Sequence, residues 1–279
     1  MKPVEPILVA DLFGELHEEL LALLRGLSAD DWYKPTVAGS WLVRDIVAHL
    51  LDTDIRRLSF QRDQAPMVPP DQPIASYADL VGFLNQLNAD WVKAAKRISP
   101  SLLIEFLSIT GVEVTKLFQS LDPDSPALFS VAWAGEEISA NWFDVARDYT
   151  EKWHHQQQIR DAVGAAPLYS RKWLHPVLDA FVRALPVNYQ STPAHPGIQV
   201  SFVITGEAGD VWTLVRRTED WQLFAGVSDN VVCRIEFDQD TAWRLMTKGL
   251  ARDEAVKRIA VTGDTTFAEP LFSTLAVMA

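Results

Sequence analysis

Through most of the first 165 residues apolar side chains recur at intervals of three and four, and after that point they do not. That period belongs to helices with one buried stripe, so the chain must build a helical assembly first and something different second. Over Leu8–Leu27 the apolar positions are Val9, Leu12, Phe13, Leu16, Leu20, Leu23, Leu24 and Leu27. A second helix follows Gly39-Ser40, with Ser40 the expected N-cap and Val43, Ile46, Val47, Leu50 and Leu51 facing inward. Pro66, Pro69, Pro70 and Pro73 make residues 64–75 a connection. Ser76 caps a third helix through Leu80, Leu84, Leu87 and Trp91. A fourth runs from about Ser101 to Leu121 and is broken by Asp122-Pro123. A fifth covers roughly Ile138–Val163 and stops at Gly164.

From Gly164-Ala165-Ala166-Pro167 the texture changes. One helix, Arg171–Leu185, leads into short β-type runs at Ile198–Thr205, Val211–Arg217, Trp221–Ala225 and Val231–Phe237, separated by turn residues. Helices around Gln239–Gly249 and Phe267–Met278 follow, with the short run Arg258–Thr262 between them. Strands beside helices predict an α+β domain. The expected organisation is a helical domain over 1–167 and an α+β domain over 168–279, which suits a chain of 279 residues.

Net charge narrows the partners. The chain carries −12 and has no run of Lys and Arg, whereas a nucleic-acid surface or an anionic membrane needs clustered cations. Neither is expected as a partner. Cys233 is the one cysteine, and no secretory signal or bilayer-length apolar stretch is legible, so the expected setting is reducing and cytoplasmic.

The chemistry concentrates on the fifth helix. Glu151 and His155 are four apart and share a face. The inward stripe Phe143, Ala146, Asp148, Glu151, His155 and Ile159 holds three polar members, and a helix turning such groups toward a core usually meets a cation there. His154, three from Glu151, is an alternative to His155. His49 lies among the inward Ile46, Val47 and Leu50 of the second helix. His49, Glu151 and His155 would give three protein ligands and one open position, the pattern of a catalytic zinc site. Nickel, cobalt and iron also suit such donors. The plainer reading of the same residues is a solvated i,i+4 pair and a hydrogen-bonded core histidine.

The stretch Trp32-Tyr33-Lys34-Pro35-Thr36, followed by Gly39-Ser40-Trp41-Leu42-Val43-Arg44-Asp45-Ile46-Val47-Ala48-His49-Leu50, resembles the start of the DinB-like superfamily. Within it the nearest branch is the mycothiol-dependent maleylpyruvate isomerase family. Glu151-Lys152-Trp153-His154-His155-Gln156-Gln157-Gln158-Ile159-Arg160 is similar to that branch's second motif, from which it departs by a doubled histidine and a glutamine triplet. The resemblance implies an all-α bundle of four-helix type followed by a small α+β domain, similar to sterol-carrier proteins, with a mainly antiparallel sheet. It puts the divalent metal, zinc or nickel, on His49, Glu151 and His155. Its open position would take a low-molecular-weight thiol: mycothiol, bacillithiol or glutathione. The expected activity is isomerisation or S-transfer on an electrophilic small molecule, by attack of the thiolate. The resemblance also implies a substrate-carboxylate contact from the C-terminal domain, for which Arg216 and Arg217 are candidates, and pairing into a homodimer.

Lesser candidates carry plainer readings. Asp45 and Asp148 could orient a ligand histidine, although Asp45 more simply complements a helix N-terminus. Cys233 reads as core filling, and His17, His175 and His195 have no partner at ligand spacing. Trp142 and Trp153 suit either a cavity wall or core packing. Two other functions fit the same pattern: a non-catalytic carrier of a lipid or small molecule, and a metal-dependent hydrolase.

Overall fold

A computed structural model describes residues 1–276 of the chain. Two compact units share it. Among the described residues the helical unit comprises Leu8–Leu128 and Ala140–Pro167, and the sheet unit comprises Met1–Ile7, Phe129–Ser139 and residues 168–276. The expected change of texture near residue 167 is one of several crossings between units. The others left no sequence period, because a two-residue strand and an eleven-residue excursion are too short to show one.

In the helical unit, α1 (Phe13–Arg25), α2 (Val43–Arg56), α3 (Tyr77–Ala95), α4 (Pro100–Ser120) and α5 (Asn141–Val163) form around the apolar stripes read from sequence. Ile46, Val47 and Leu50 of α2 pack with Leu20, Leu24, Leu103, Leu107 and Ile159 in one cluster. Each of the three α2 side chains is fully buried, a gain of roughly 1.5–3 kcal/mol apiece. Ser76 and Ser99 cap α3 and α4 by accepting the Asp79 and Leu102 amide hydrogens, and Gly164 closes α5 in a left-handed conformation, φ 72°.

Ser40 does not cap α2. The helix starts at Val43, and the Asp45 carboxylate accepts the Leu42 amide hydrogen at 3.1 Å, so Asp45 has the plain capping role. The start is displaced because Pro35 and Leu42 form a β-bridge and the Thr36 hydroxyl donates to the Trp41 carbonyl at 2.7 Å, which holds Trp41 and Leu42 extended. At its other end α2 continues as a π-helical stretch, Arg57–Arg62.

The sheet unit is a six-stranded sheet. Its strands are β1 (Lys2–Pro3), β2 (Gln199–Thr205), β3 (Val211–Arg216), β4 (Trp221–Ala225), β5 (Cys233–Asp238) and β6 (Ala260–Gly263), in the order β1-β4-β3-β2-β5-β6. Only β2 and β5 run parallel; the remaining pairs are antiparallel. Its helices are α6 (Arg171–Phe181), α7 (Leu185–Asn188), α8 (Gln239–Met246) and α9 (Arg252–Arg258). The expected terminal helix at Phe267–Met278 is instead a 3-10 run, Thr265–Ser273, containing Pro270. Proline removes an amide donor, and the tighter helix tolerates the break. Met278 lies outside the described residues. No helix of the described residues is long and apolar enough to cross a membrane.

One buried ionic contact fixes α5 against the end of α2. Arg57 Nη1 and Nη2 donate to the two Asp144 oxygens at 2.7 Å, and Asp148 accepts from Arg57 Nε and Nη2 at 3.3 Å. All three side chains are at most 5% exposed. Asp148 therefore serves this contact and does not orient a ligand histidine. Removing the cation leaves carboxylates buried without their partner, which costs about 3–5 kcal/mol. Arg57→Met should lower the unfolding free energy by about that amount in chemical denaturation; an unchanged midpoint would discard the clamp. Burial opposes ionisation of Asp144, but Arg57 and Arg147 hold its carboxyl below the usual range. Its contribution is therefore complete above the unfolded value near 3.8 and is lost as pH falls toward the lower folded one.

Candidate metal centre

His49 comes from the middle of α2, and Glu151 and His155 come from one face of α5 a turn apart. Glu151 Oε1 lies 3.0 Å from His49 Nε2 and 3.1 Å from His155 Nε2. The two imidazole rings stand nearly edge to face, with centroids 4.7 Å apart. Ligands about 2.0–2.1 Å from a tetrahedral zinc are roughly 3.3 Å apart, close to the two distances from Glu151 to the histidines, and all three donors, one from each residue, fall within 4.8 Å of one another. Two imidazole nitrogens and a carboxylate also match its chemistry.

The electrostatics of the cluster are internally consistent. Burial pushes the His49 imidazole down to about 4, against the hydrogen bond it can donate to the Glu151 carboxylate. Burial likewise lowers His154 to about 3, with the positive charge of His155 adding to it. His155 is raised, because the Glu151 carboxylate and the bonds to Glu151 and Gln158 outweigh its desolvation. Glu151 sits well below the usual carboxylate range, since His155 and His49 together outweigh its burial. The set is thus a carboxylate, a neutral imidazole and one imidazole that holds its proton through Glu151.

His154 does not join the three. Its ring stacks on that of His155 at 5.1 Å, and its Nε2 meets the Gln158 amide nitrogen at 2.9 Å. The Gln158 carbonyl oxygen accepts from His155 Nδ1 at 2.8 Å. Trp41 stands beside the cluster, 5.2 Å from the His49 ring and 6.5 Å from the His155 ring. Of the expected aromatic candidates, Trp153 is fully buried and Trp142 stacks on Phe143. Trp41 escaped the periodicity because it lies in the turn before α2, where hydrogen bonds and not a helical stripe aim the ring.

Sequence reasoning also missed Lys152. Its ammonium donates to the Leu50 carbonyl at 3.3 Å and the Thr53 hydroxyl at 3.1 Å, and it pairs with the Asp54 carboxylate. Lys152 adjoins Glu151 and Leu50 adjoins His49, so this bond ties together the two backbone segments that carry the donors. Asp54 is further held by the Thr110 hydroxyl of α4 at 2.8 Å. The spacing of Lys152 and Asp54 in the chain gave no signal, because the contact crosses helices.

The remaining candidates sit apart from any such cluster among the described residues. Arg216, at the end of β3, donates to the Glu219 carbonyl, and Arg217 donates to Gln222 and lies over the Phe224 ring. Both contacts belong to the β3–β4 hairpin of the sheet unit. Cys233 is buried in β5 and its thiol is pushed up to about 11 by burial. His175 contacts the Ala208 carbonyl, His195 is exposed, and His17 lies over Gly111 of α4.

The sequence profile of the mycothiol maleylpyruvate isomerase N-terminal domain matches residues 13–160. Two uncharacterized proteins from two strains of Mycobacterium tuberculosis are each 30% identical over 209 residues, 74% of this chain and 75% of the relative. Among solved structures, the mycothiol-dependent maleylpyruvate isomerase superposes with a TM-score of 0.53 at 9% identity, covering 91% of this chain and 90% of that one. A histidine-to-alanine mutant of that isomerase gives 0.51 at 10% identity over the same shares. At such identities the likeness is one of fold.

The charge states fix a proton count. Near pH 7 His49 is already neutral and Glu151 ionised, whereas His155 is shifted toward carrying a proton. A divalent cation entering the cluster should displace up to about one proton, and its affinity should rise with pH through the His155 titration. Calorimetric titration in two buffers of different ionisation enthalpy reads this number; release of two protons would contradict the assigned charges.

Proposed function

The chain belongs to the mycothiol maleylpyruvate isomerase family, and on that premise we propose that it is a metal-dependent thiol enzyme acting on a small electrophilic molecule. The observation that carries this reading is the meeting of His49, Glu151 and His155, from two separate helices, at one point. Zinc is the cation this donor set suits best, with nickel next. Three protein donors leave one position of a tetrahedral ion open.

A cation held there would lower the pKa of a thiol at its open position, so that the thiolate nucleophile is present near neutral pH. Mycothiol is the thiol named for the structural relatives and is the one proposed here. The chain's own residues set the conditions. Glu151 supplies the negative charge that retains a divalent ion, and the imidazoles add no charge once His155 has given up its proton to the entering cation. The indole of Trp41 covers one side of the two histidines and limits water there. When bound, such a thiolate would supply a nucleophile able to add reversibly to an electrophilic double bond, which is the chemistry that cis–trans isomerisation of the substrate requires. Retention of the sulfur makes the reaction an S-transfer.

The experiment is metal analysis joined to a thiol-dependent assay. The purified chain should hold about one divalent ion, and mycothiol should support turnover of maleylpyruvate or of another electrophile in a panel. His49→Ala and Glu151→Ala should each lose metal by more than the roughly 10–100-fold that loss of an outer hydrogen-bond partner costs, and should lose activity with it. Full activity in metal-free protein would sink the proposal. Thiol-independent amide hydrolysis would transfer the site to a hydrolase, and bound lipid without metal would make the chain a carrier.

A further inference from the structure

The doubled histidine and glutamine triplet of α5 are what the proposed function leaves unexplained. Two adjacent imidazoles, His154 and His155, are both buried and both near Glu151. A metal site with such a pair needs something to decide between them. Gln158 is three residues after His155 and four after His154, so its side chain reaches both rings along the helix surface. Its carbonyl oxygen takes the Nδ1 hydrogen of His155 at 2.8 Å, and its amide nitrogen faces His154 Nε2 at 2.9 Å.

We propose that Gln158 is a positioning residue that designates His155, and not His154, as the ligand, by fixing which nitrogen of each ring is available. The inference rests on the metal reading above. An amide is suited to the task because one planar group carries an acceptor and donors side by side. With its oxygen on His155 Nδ1, that nitrogen must keep its hydrogen. The lone pair of the neutral ring then lies on Nε2, the atom 3.1 Å from Glu151 Oε1. With its N–H on His154 Nε2, the lone pair of that nitrogen is occupied and cannot serve a cation. A carboxylate at 158 would accept from both rings, and an aliphatic side chain would address neither. Neighbouring partners of ligand histidines orient the ring in the same manner in metal proteins generally.

The test uses the full chain, zinc alone as the probe, and nitrogen-15 spectra of the histidine rings. In the parent protein at a pH where both rings are neutral, His155 should carry its hydrogen on Nδ1 and His154 should also carry its own on Nδ1, leaving Nε2 as the acceptor. Gln158→Leu should weaken zinc binding roughly 10–100-fold and release both tautomers to mixtures. Gln158→Glu keeps the acceptor for His155. It should retain zinc affinity close to the parent's while switching His154 to the Nε2–H form, and it serves as the folded control if the leucine variant unfolds. Parent-like affinity and unchanged ring spectra in Gln158→Leu would overturn the assignment, as would a Gln158→Glu protein in which His154 does not switch. Because the ring spectra are read without metal, a parent chain that takes up no zinc but shows these tautomers loses the metal reading and keeps the amide fork.

Discussion

A helix that buries carboxylates, imidazoles and amides is stable only where each meets a counterpart, because an unpaired buried polar group costs more than most apolar contacts return. Helix α5 buries Asp144, Asp148, His154 and His155 among others; Gln158 of the same helix serves the two histidines, while α2 and its π-helical continuation supply the partners of Asp144, Asp148, Glu151 and Lys152. Arg57 meets Asp144 and Asp148, residues flanking His49 meet Lys152, and His49 itself meets Glu151. Moving α5 by one turn, about 5.4 Å, would strand all of these groups together. The register of the two helices is thereby over-determined, and the position of the three donor atoms follows from it.

This constraint explains which parts of the molecule were legible in the sequence. Glu151 and His155 could be paired because their relation is local, four residues on one helix, and His49 could be added because its neighbours Ile46, Val47 and Leu50 mark the inward face of α2. The choice between His154 and His155 was open because they are neighbours on one helix; in the fold it is His155 that lies with His49 and Glu151, while His154 meets Gln158. Arg57 and Lys152 gave no signal. The partners named for them stand 87 to 102 residues away, and a basic residue on a helix looks the same in sequence whether it faces solvent or a buried acid.

The fold shows the same division. Long apolar periods located α1 to α5 and the strands β2 to β5, whereas α9 escaped because Arg252–Arg258 buries only Ala255 and therefore has no apolar stripe. Strand β1 is two residues long, below any readable period. The start of α2 was misjudged at Ser40 because a good capping residue in sequence is overridden when the following backbone is held extended by a bridge to Pro35. In each case local preference lost to a contact made across the chain.

The ionic ties around the cluster bear on how a cation would be received. In a zinc finger the ligands are scattered in the unfolded chain, and metal binding must supply the folding energy. Here the Lys152 bond to the Leu50 carbonyl and the Arg57 clamp hold α2 to α5 through groups that are not donors to the cluster. The organisation of His49, Glu151 and His155 is therefore established by folding itself, in a core whose Ile46, Leu50 and Ile159 are fully buried. Binding energy at such a site need not be spent on assembling it, and is available for discrimination between cations and for altering the acidity of a fourth ligand. What distinguishes the cluster from an ordinary i,i+4 pair is its third member, His49 of another helix, and the ties from Lys152 and Arg57 that hold the two helices in register.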